Sequence, residues 1–156
     1  MKEIERKFLV DQKLFPGSEN RQVIHQGYLS VDPERIVRIR TEGQQAWITV
    51  KGKIEGFTRP EYEYLIPVSD AREMLGLSVY PPVEKIRHRI MHEGTLWEVD
   101  EFLGANSGLI LAEVELEDEH QDFSAPPWIG KEVTDDHRYY NSYLSNHPYS
   151  GWDTPA

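Results

Sequence analysis

Polar and apolar residues alternate from the first positions of the chain. Glu3, Glu5 and Lys7 fall on one face of an extended segment, and Ile4, Phe8 and Val10 on the other. The same period of two recurs along the chain and predicts strands over 2–10, 22–30, 35–42, 45–52, 58–67, 84–92, 95–103 and 109–118. Turn punctuation separates them at Phe15-Pro16-Gly17-Ser18, Asp32-Pro33, Glu42-Gly43, Gly52 to Gly56, Glu93-Gly94 and Gly104 to Gly108. Eight strands with short connections predict a mainly β fold with flanking helices, a closed eight-stranded antiparallel barrel. Ser69 to Leu77 reads as a helix with Ser69 as its cap, and Asp135 to Ser145 as another capped by Thr134 or Asp135. Asp118 to Gly130 reads as a loop leading to the last helix, residues 1–146 as a single domain, and residues 147–156 as a loose C-terminal tail.

The alternation gathers charge on one face of nearly every strand. Arg38 pairs with Arg40, Thr49 with Lys51, and Arg59 with Glu61 and Glu63; Lys85, Arg87 and Arg89 follow, then Glu98 and Asp100, then Glu113, Glu115 and Glu117. The intervening residues are largely apolar. Period alone does not say which face lies inside. Charges facing water are what any half-buried antiparallel strand shows, and an apolar-lumen carrier barrel would also satisfy the pattern. Against this, basic residues concentrate on strands three, four and six, and acidic ones pair on strands one, five, seven and eight. A lumen lined by both signs could take a polyanion together with its metal ion.

Composition narrows the chemistry. The chain has 156 residues, enough for one core, with 17 Lys and Arg against 27 Asp and Glu and a formal net charge of -10. That balance argues against a general nucleic-acid-binding surface. With no cysteine, disulfides and thiolate-bound metals are excluded, and carboxylate and histidine remain as strong metal ligands. The six histidines lack zinc-site spacing, and Trp47, Trp97, Trp128 and Trp152 read as packing groups. No apolar run approaches membrane-spanning length and no signal-peptide core follows Met1, so the expected location is cytoplasmic, away from membranes.

The segment Glu3-Ile4-Glu5-Arg6-Lys7-Phe8 resembles the Glu-x-Glu-x-Lys start of the CYTH superfamily, the triphosphate tunnel metalloenzymes. Gln26-Gly27-Tyr28-Leu29, Val37-Arg38-Ile39-Arg40, Thr49-Val50-Lys51-Gly52, Arg59-x-Glu61-x-Glu63 and Glu84-Lys85-x-Arg87 follow in that family's order. So do Trp97-Glu98-Val99-Asp100-x-Phe102, Ala112-Glu113-Val114-Glu115-Leu116, Val133-Thr134 and Arg138-Tyr139-x-Asn141. Length and spacing look most like the small bacterial members that hydrolyse inorganic tripolyphosphate.

The resemblance implies a barrel with its charged face inward. It implies that Arg38, Arg40, Lys51, Lys85 and Arg87 bind phosphate oxygens, with Lys7, Arg59 and Arg138 as supporting cations. It implies Mg²⁺ or Mn²⁺ held among Glu3, Glu5, Glu61, Glu63, Glu113 and Glu115, with Asp100 as a further candidate. Catalysis would fall to Glu5, Lys85 and Arg87 through electrostatic positioning, one ion bridging phosphate oxygens and a second, where bound, orienting water. The implied reaction is metal-dependent hydrolysis of tripolyphosphate to pyrophosphate and phosphate, with nucleoside triphosphates as further candidate substrates. The rivals are a class IV adenylate cyclase, a thiamine triphosphatase and a non-catalytic polyphosphate- or nucleotide-binding module; no sequence feature commits the chain to hold adenine. The apolar outer face leaves room for a homodimer. Arg89 and Glu98 share the inward parity and fit structural ion pairs equally well, Glu117 reads as solvated, and Tyr28 as an anchor at the barrel mouth.

Overall fold

The computed structural model describes residues 2–152. Nine strands form one antiparallel sheet: β1 (Lys2–Val10), β2 (Arg21–Ser30), β3 (Arg35–Glu42), β4 (Gln45–Gly52), β5 (Thr58–Ile66), β6 (Val83–His92), β7 (Thr95–Phe102), β8 (Ile110–Glu115) and β9 (Ile129–Glu132). Their order is β5-β4-β3-β2-β6-β7-β8-β1-β9, and β1 also pairs with β5, which closes the first eight into a barrel. The tight β6–β7 hairpin needs positive φ at both loop residues, and Glu93 (φ 46°) and Gly94 (φ 81°) supply it.

The barrel closes at a divided seam. One edge of β1 pairs with β5 over Lys2 to Ile4 and with β9 at Phe8 and Val10. Between them the Lys7 N–H donates to Thr134 Oγ1 (3.0 Å) and the Glu5 N–H to the Phe57 carbonyl (3.4 Å). Strand β9 was not predicted, because Ile-Gly-Lys-Glu is too short to show an alternation.

The apolar face of the strands points outward and is covered there. Phe8, Trp97, Val99, Ala112 and Val114 form a cluster roofed by Phe123 and Trp128 of the connection after β8. Helix α1 (Val68–Leu75) covers Ile39 and Ala46 through Ala71, Met74 and Leu75. The fit over β2 is close: a Cβ on Gly27 would stand 2.0 Å from Ser78 Oγ, so only glycine lets this segment lie against the strand. Val114 and Ile39 are buried as expected of the outer face. Val50 is not; it stays 37 % exposed beside Tyr62 and Tyr64, because α1 turns back over β3 and β4 and leaves β5 bare.

Two predicted helices come out differently. Helix α1 begins at Val68 with Pro67 at the cap, and Ser69 makes no capping bond. The predicted 135–145 helix is interrupted. Asp136 accepts the Arg138 N–H (3.1 Å) and closes a 3₁₀ turn over His137–Tyr139, Tyr140 is extended, and α2 (Asn141–Asn146) follows.

This C-terminal segment fills one end of the barrel. Val83, Phe102 and Leu111, on the inward faces of β6, β7 and β8, pack with Val133, Tyr139 and Leu144. The lumen is therefore not charged throughout: an apolar plug occupies one end and charged residues line the rest. Tyr149 and Trp152 pack on the plug, so the expected loose tail is docked through Trp152; residues 153–156 lie outside those described. No helix among the described residues is long and apolar enough to cross a membrane.

Candidate active site

The inward faces of six barrel strands converge on one narrow, predominantly polar pocket. Strand β1 contributes Glu3, Glu5 and Lys7, β3 Arg38, β4 Lys51, β5 Arg59, and β6 Lys85 and Arg87, with Glu113 from β8 opposite. Six cations from five strands thus face one space. Tyr28 joins the wall from β2, and Thr134, Tyr140, Asn141 and Ser142 of the C-terminal segment complete it.

Pairs of opposite charge hold the walls. Lys51 Nζ lies 2.9 Å from both carboxylate oxygens of Glu3 and 3.5 Å from Glu61. Burial opposes ionisation of Glu3, but Lys51 outweighs it and brings the carboxyl down to about 2. Burial and the neighbouring Glu3 push Glu61 up to about 7, so these carboxylates retain a proton toward neutrality. Glu63 accepts from Thr49 Oγ1 (2.6 Å) and from Arg38 (3.2 Å), and Arg40 lies 3.8 Å away. Lys7 faces Glu113 at 3.5 Å.

Asp100, 1 % exposed, accepts two hydrogen bonds from Arg87 (2.8 and 2.9 Å) and lies 2.8 Å from Lys85 Nζ. Two cations occupy three of its roughly four acceptor positions, so Asp100, expected as a candidate metal ligand, stands in the structure as counter-ion of Lys85 and Arg87. Burial pushes Lys85 down to about 8 in spite of Asp100.

Two kinds of unbalanced group remain. Arg38 Nε and Arg40 Nε are buried with no acceptor among the described residues. Burial, with Arg38 and Arg87 close by, lowers Arg40 to about 10. On the seam side the unpaired groups are acidic. Glu5 and Glu115 are cross-strand partners, and no cation among the described residues pairs with either. Burial, then Glu113 and Glu3, raise Glu5 well above the ordinary carboxylate range, and the more open Glu115 moves the same way through partial burial and Glu3.

That donor set fits a divalent ion by its chemistry: hard carboxylate oxygens that no cation among the described residues pairs with, and that a bound cation would help to ionise. No three acidic or imidazole groups among the described residues already stand in ligating arrangement. An ion held here would therefore draw on water and phosphate oxygens for part of its shell, as Mg²⁺ commonly does.

Other expected site residues stand apart. Arg138 lies on the surface, paired with Asp136 (2.7 Å) and over the Trp152 ring, because the 3₁₀ turn directs it away from the lumen. Arg40 sits against Trp47, beyond the pocket wall. Arg89 is bound to Glu42 (2.7 Å) and Glu98 (3.3 Å) as a structural network, and Glu117 is exposed. Tyr140, Asn141 and Thr134 were not singled out for the site, although Thr134 and Asn141 lay within recognised segments and that placement was the available signal. A groove of about 430 Å³ continues from the mouth, sharing Ile36, Ile54, Arg59, Tyr140 and Ser142 with the pocket and adding Tyr80, Tyr143, His137 and His147.

The chain resembles known proteins over nearly its whole length. The chain is 46 % identical over 152 residues to an inorganic triphosphatase of Acetivibrio thermocellus, covering 97 % of each. It is 41 % identical over 150 residues to an inorganic triphosphatase of Nitrosomonas europaea, covering 93 % of this chain and 97 % of that protein. A crystal structure of an inorganic triphosphatase superposes with a TM-score of 0.66 at 36 % identity, over 98 % of this chain and 99 % of that one. The CYTH domain model matches residues 1–145, and the chain belongs to the CYTH family of triphosphate tunnel metalloenzymes, which implies a divalent metal ion.

Proposed function

We propose that this protein hydrolyses inorganic tripolyphosphate to pyrophosphate and phosphate with the help of Mg²⁺ or Mn²⁺. The observation that carries the proposal is the buried, unsatisfied Nε of Arg38 on the wall of a pocket that six cations line, with the Nε of Arg40 unsatisfied behind it. Buried donors without acceptors are costly unless a ligand supplies them, and a triphosphate offers many oxygens at the spacing of a chain.

Arg38, Lys51, Lys7 and Arg59 are assigned to holding the phosphate chain, with Arg40 behind Arg38 as a further donor. Arg87 and Lys85, fixed from behind by Asp100, are assigned to the charge that develops on the phosphoryl oxygens during transfer. Glu3, Glu5, Glu61, Glu63, Glu113 and Glu115 form the set from which a divalent ion takes its protein ligands, and Glu5 also orients the attacking water. When bound, the ion would supply neutralisation of phosphate charge and Lewis acidity. Water adds to a terminal phosphorus and the bridging P–O bond breaks with its electron pair going to the leaving pyrophosphate; one proton of the water stays on the new phosphate and the other passes to the leaving oxygen or to solvent. No side-chain nucleophile is needed.

Chelation tests the metal requirement. In EDTA, phosphate release should fall to background, and adding Mg²⁺ or Mn²⁺ should restore it with the circular dichroism spectrum unchanged. Full turnover in chelator would overturn the proposal.

The groove at the mouth favours a second substrate class. Its three tyrosines, Tyr80, Tyr140 and Tyr143, form an aromatic wall beside the tunnel, fit to receive the organic part of a triphosphate ester such as a nucleoside triphosphate. Tyr80→Ala should raise KM for ATP about fivefold or more, the scale of one lost base–aromatic contact, and leave KM for tripolyphosphate unchanged. An equal change for both substrates would remove the groove from recognition.

A further inference from the structure

The ammonium of Lys85 has three N–H bonds and two protein acceptors. One is Asp100 Oδ2 (2.8 Å) and the other Asn141 Oδ1 (2.9 Å). With one acceptor the ammonium rotates about Cε–Nζ; with two the rotor is fixed, and the third N–H keeps one direction. Lys85 forms part of the tunnel wall, so that third N–H is the one left for substrate.

Lys85 also dictates which way Asn141 points. The reverse amide orientation would set an NH₂ donor against the ammonium, so Oδ1 faces Nζ. The same oxygen accepts from Gln26 Nε2 at 2.7 Å. Gln26 must then turn its own Oε1 away, and that oxygen is buried without a partner. An unsatisfied buried carbonyl is a costly arrangement, and here it accompanies an acceptor kept on Lys85.

Asn141 reaches this place because the C-terminal plug carries it there. Tyr139 and Leu144 anchor the plug in the apolar end of the barrel, and the adjoining Tyr140 ring lies 4.9 Å from Lys7 Nζ. Apolar residues alone would seal the end. What Asn141 adds is an acceptor at the ammonium.

We infer that Asn141 is a positioning residue. It acts through Lys85, aiming one ammonium N–H at the triphosphate, and the site is complete only when the C-terminal segment is docked. The inference rests on the tripolyphosphate activity proposed above.

The test compares Asn141→Ala, which removes the acceptor, with Asn141→Asp, which keeps an oxygen in the same place, in the full-length protein with its metal ion. N141A should lose about tenfold or more in kcat, the scale of a lost supporting contact, with KM little changed because the other tunnel cations still hold the substrate. N141D should keep kcat within about threefold of the parent. An independent reading comes from ¹H–¹⁵N spectra of lysine ammonium groups, with the Lys85 signal assigned by Lys85→Arg. That signal should exchange slowly in the parent and in N141D and broaden away in N141A. A wild-type kcat in folded N141A, equal losses in N141A and N141D, or a change in KM alone would each overturn the inference. Should N141A fail to fold, Asn141→Ser, too short to reach Nζ, takes its place with the same expectation. If the parent released no phosphate, the substrate assignment would fall, and the ammonium spectra would still decide whether Asn141 fixes Lys85.

Discussion

Asp100→Ala should lower the melting temperature by roughly 10 °C or more, from a loss of about 3–5 kcal/mol in a domain of this size. Asp100 holds Arg87 through two hydrogen bonds and Lys85 through a third contact, all out of water. Removing it leaves two buried cations, and Arg87 keeps only Glu98 at 3.5 Å. Burial works against the Asp100 carboxylate, but Arg87 and Lys85 outweigh it and hold its pKa well below the ordinary 3.8. A carboxyl depressed on folding stabilises above its unfolded pKa and loses that effect as pH falls toward the folded value. The gap in melting temperature between parent and Asp100→Asn should therefore be widest near pH 5 to 6 and narrow below about pH 4. Adding Lys85→Met should return part of the loss by removing one of the stranded charges. Thermal denaturation followed by circular dichroism measures all three variants. An unchanged melting temperature would mean that these lumen pairs are worth no more than surface ones. Activity should fall as well, since Lys85, already at about 8, would lose more of its charge without Asp100.

The barrel was legible because its signal is local. Period-two alternation names strands one at a time, and Glu93-Gly94 marks a hairpin within four residues. Which face points inward was not legible from period, since Ile39 and Val114 beside Arg38 and Glu113 suit either assignment; resemblance chose the charged lumen, and the structure agrees. Asp100 shows the limit for the site. Sequence places it on the charged face but does not show that Arg87 and Lys85 both bind it, because that depends on registers and rotamers across two strands. Arg138 was placed in the site by the resemblance alone; the bond that Asp136 accepts from the Arg138 N–H opens a 3₁₀ turn that the helical reading of 135–145 did not foresee, and it leaves the guanidinium on the surface. The aromatic wall of the groove was invisible, because Tyr80 lies some sixty residues before Tyr140 and Tyr143 and only the docked C-terminal segment brings them together.

Arg38→Ala should cost about 2–4 kcal/mol of transition-state stabilisation, roughly a thirtyfold to thousandfold drop in kcat/KM for tripolyphosphate. The fold should tolerate it. Glu63 keeps its bond from Thr49 and its proximity to Arg40, so no carboxylate is stranded when the guanidinium goes. Arg38 Nη2 serves Thr49 and Glu63, but its buried Nε, on a residue of the pocket wall, has no acceptor among the described residues, so R38A removes a donor the protein does not use for itself. Arg38→Lys should recover only part of the activity, because an ammonium restores the charge without the two-donor fork that matches a phosphate. ³¹P NMR of the parent reaction should show tripolyphosphate giving one pyrophosphate and one phosphate, and ATP used less well and by hydrolysis, since its adenosine must leave the tunnel for the groove. Cyclic AMP with pyrophosphate as the main products would make the cyclase assignment correct. Tight tripolyphosphate binding without phosphate release would leave a binding module. A folded R38A variant with parental kcat/KM would take Arg38 out of the reaction and with it the claim that unsatisfied tunnel donors mark the triphosphate path.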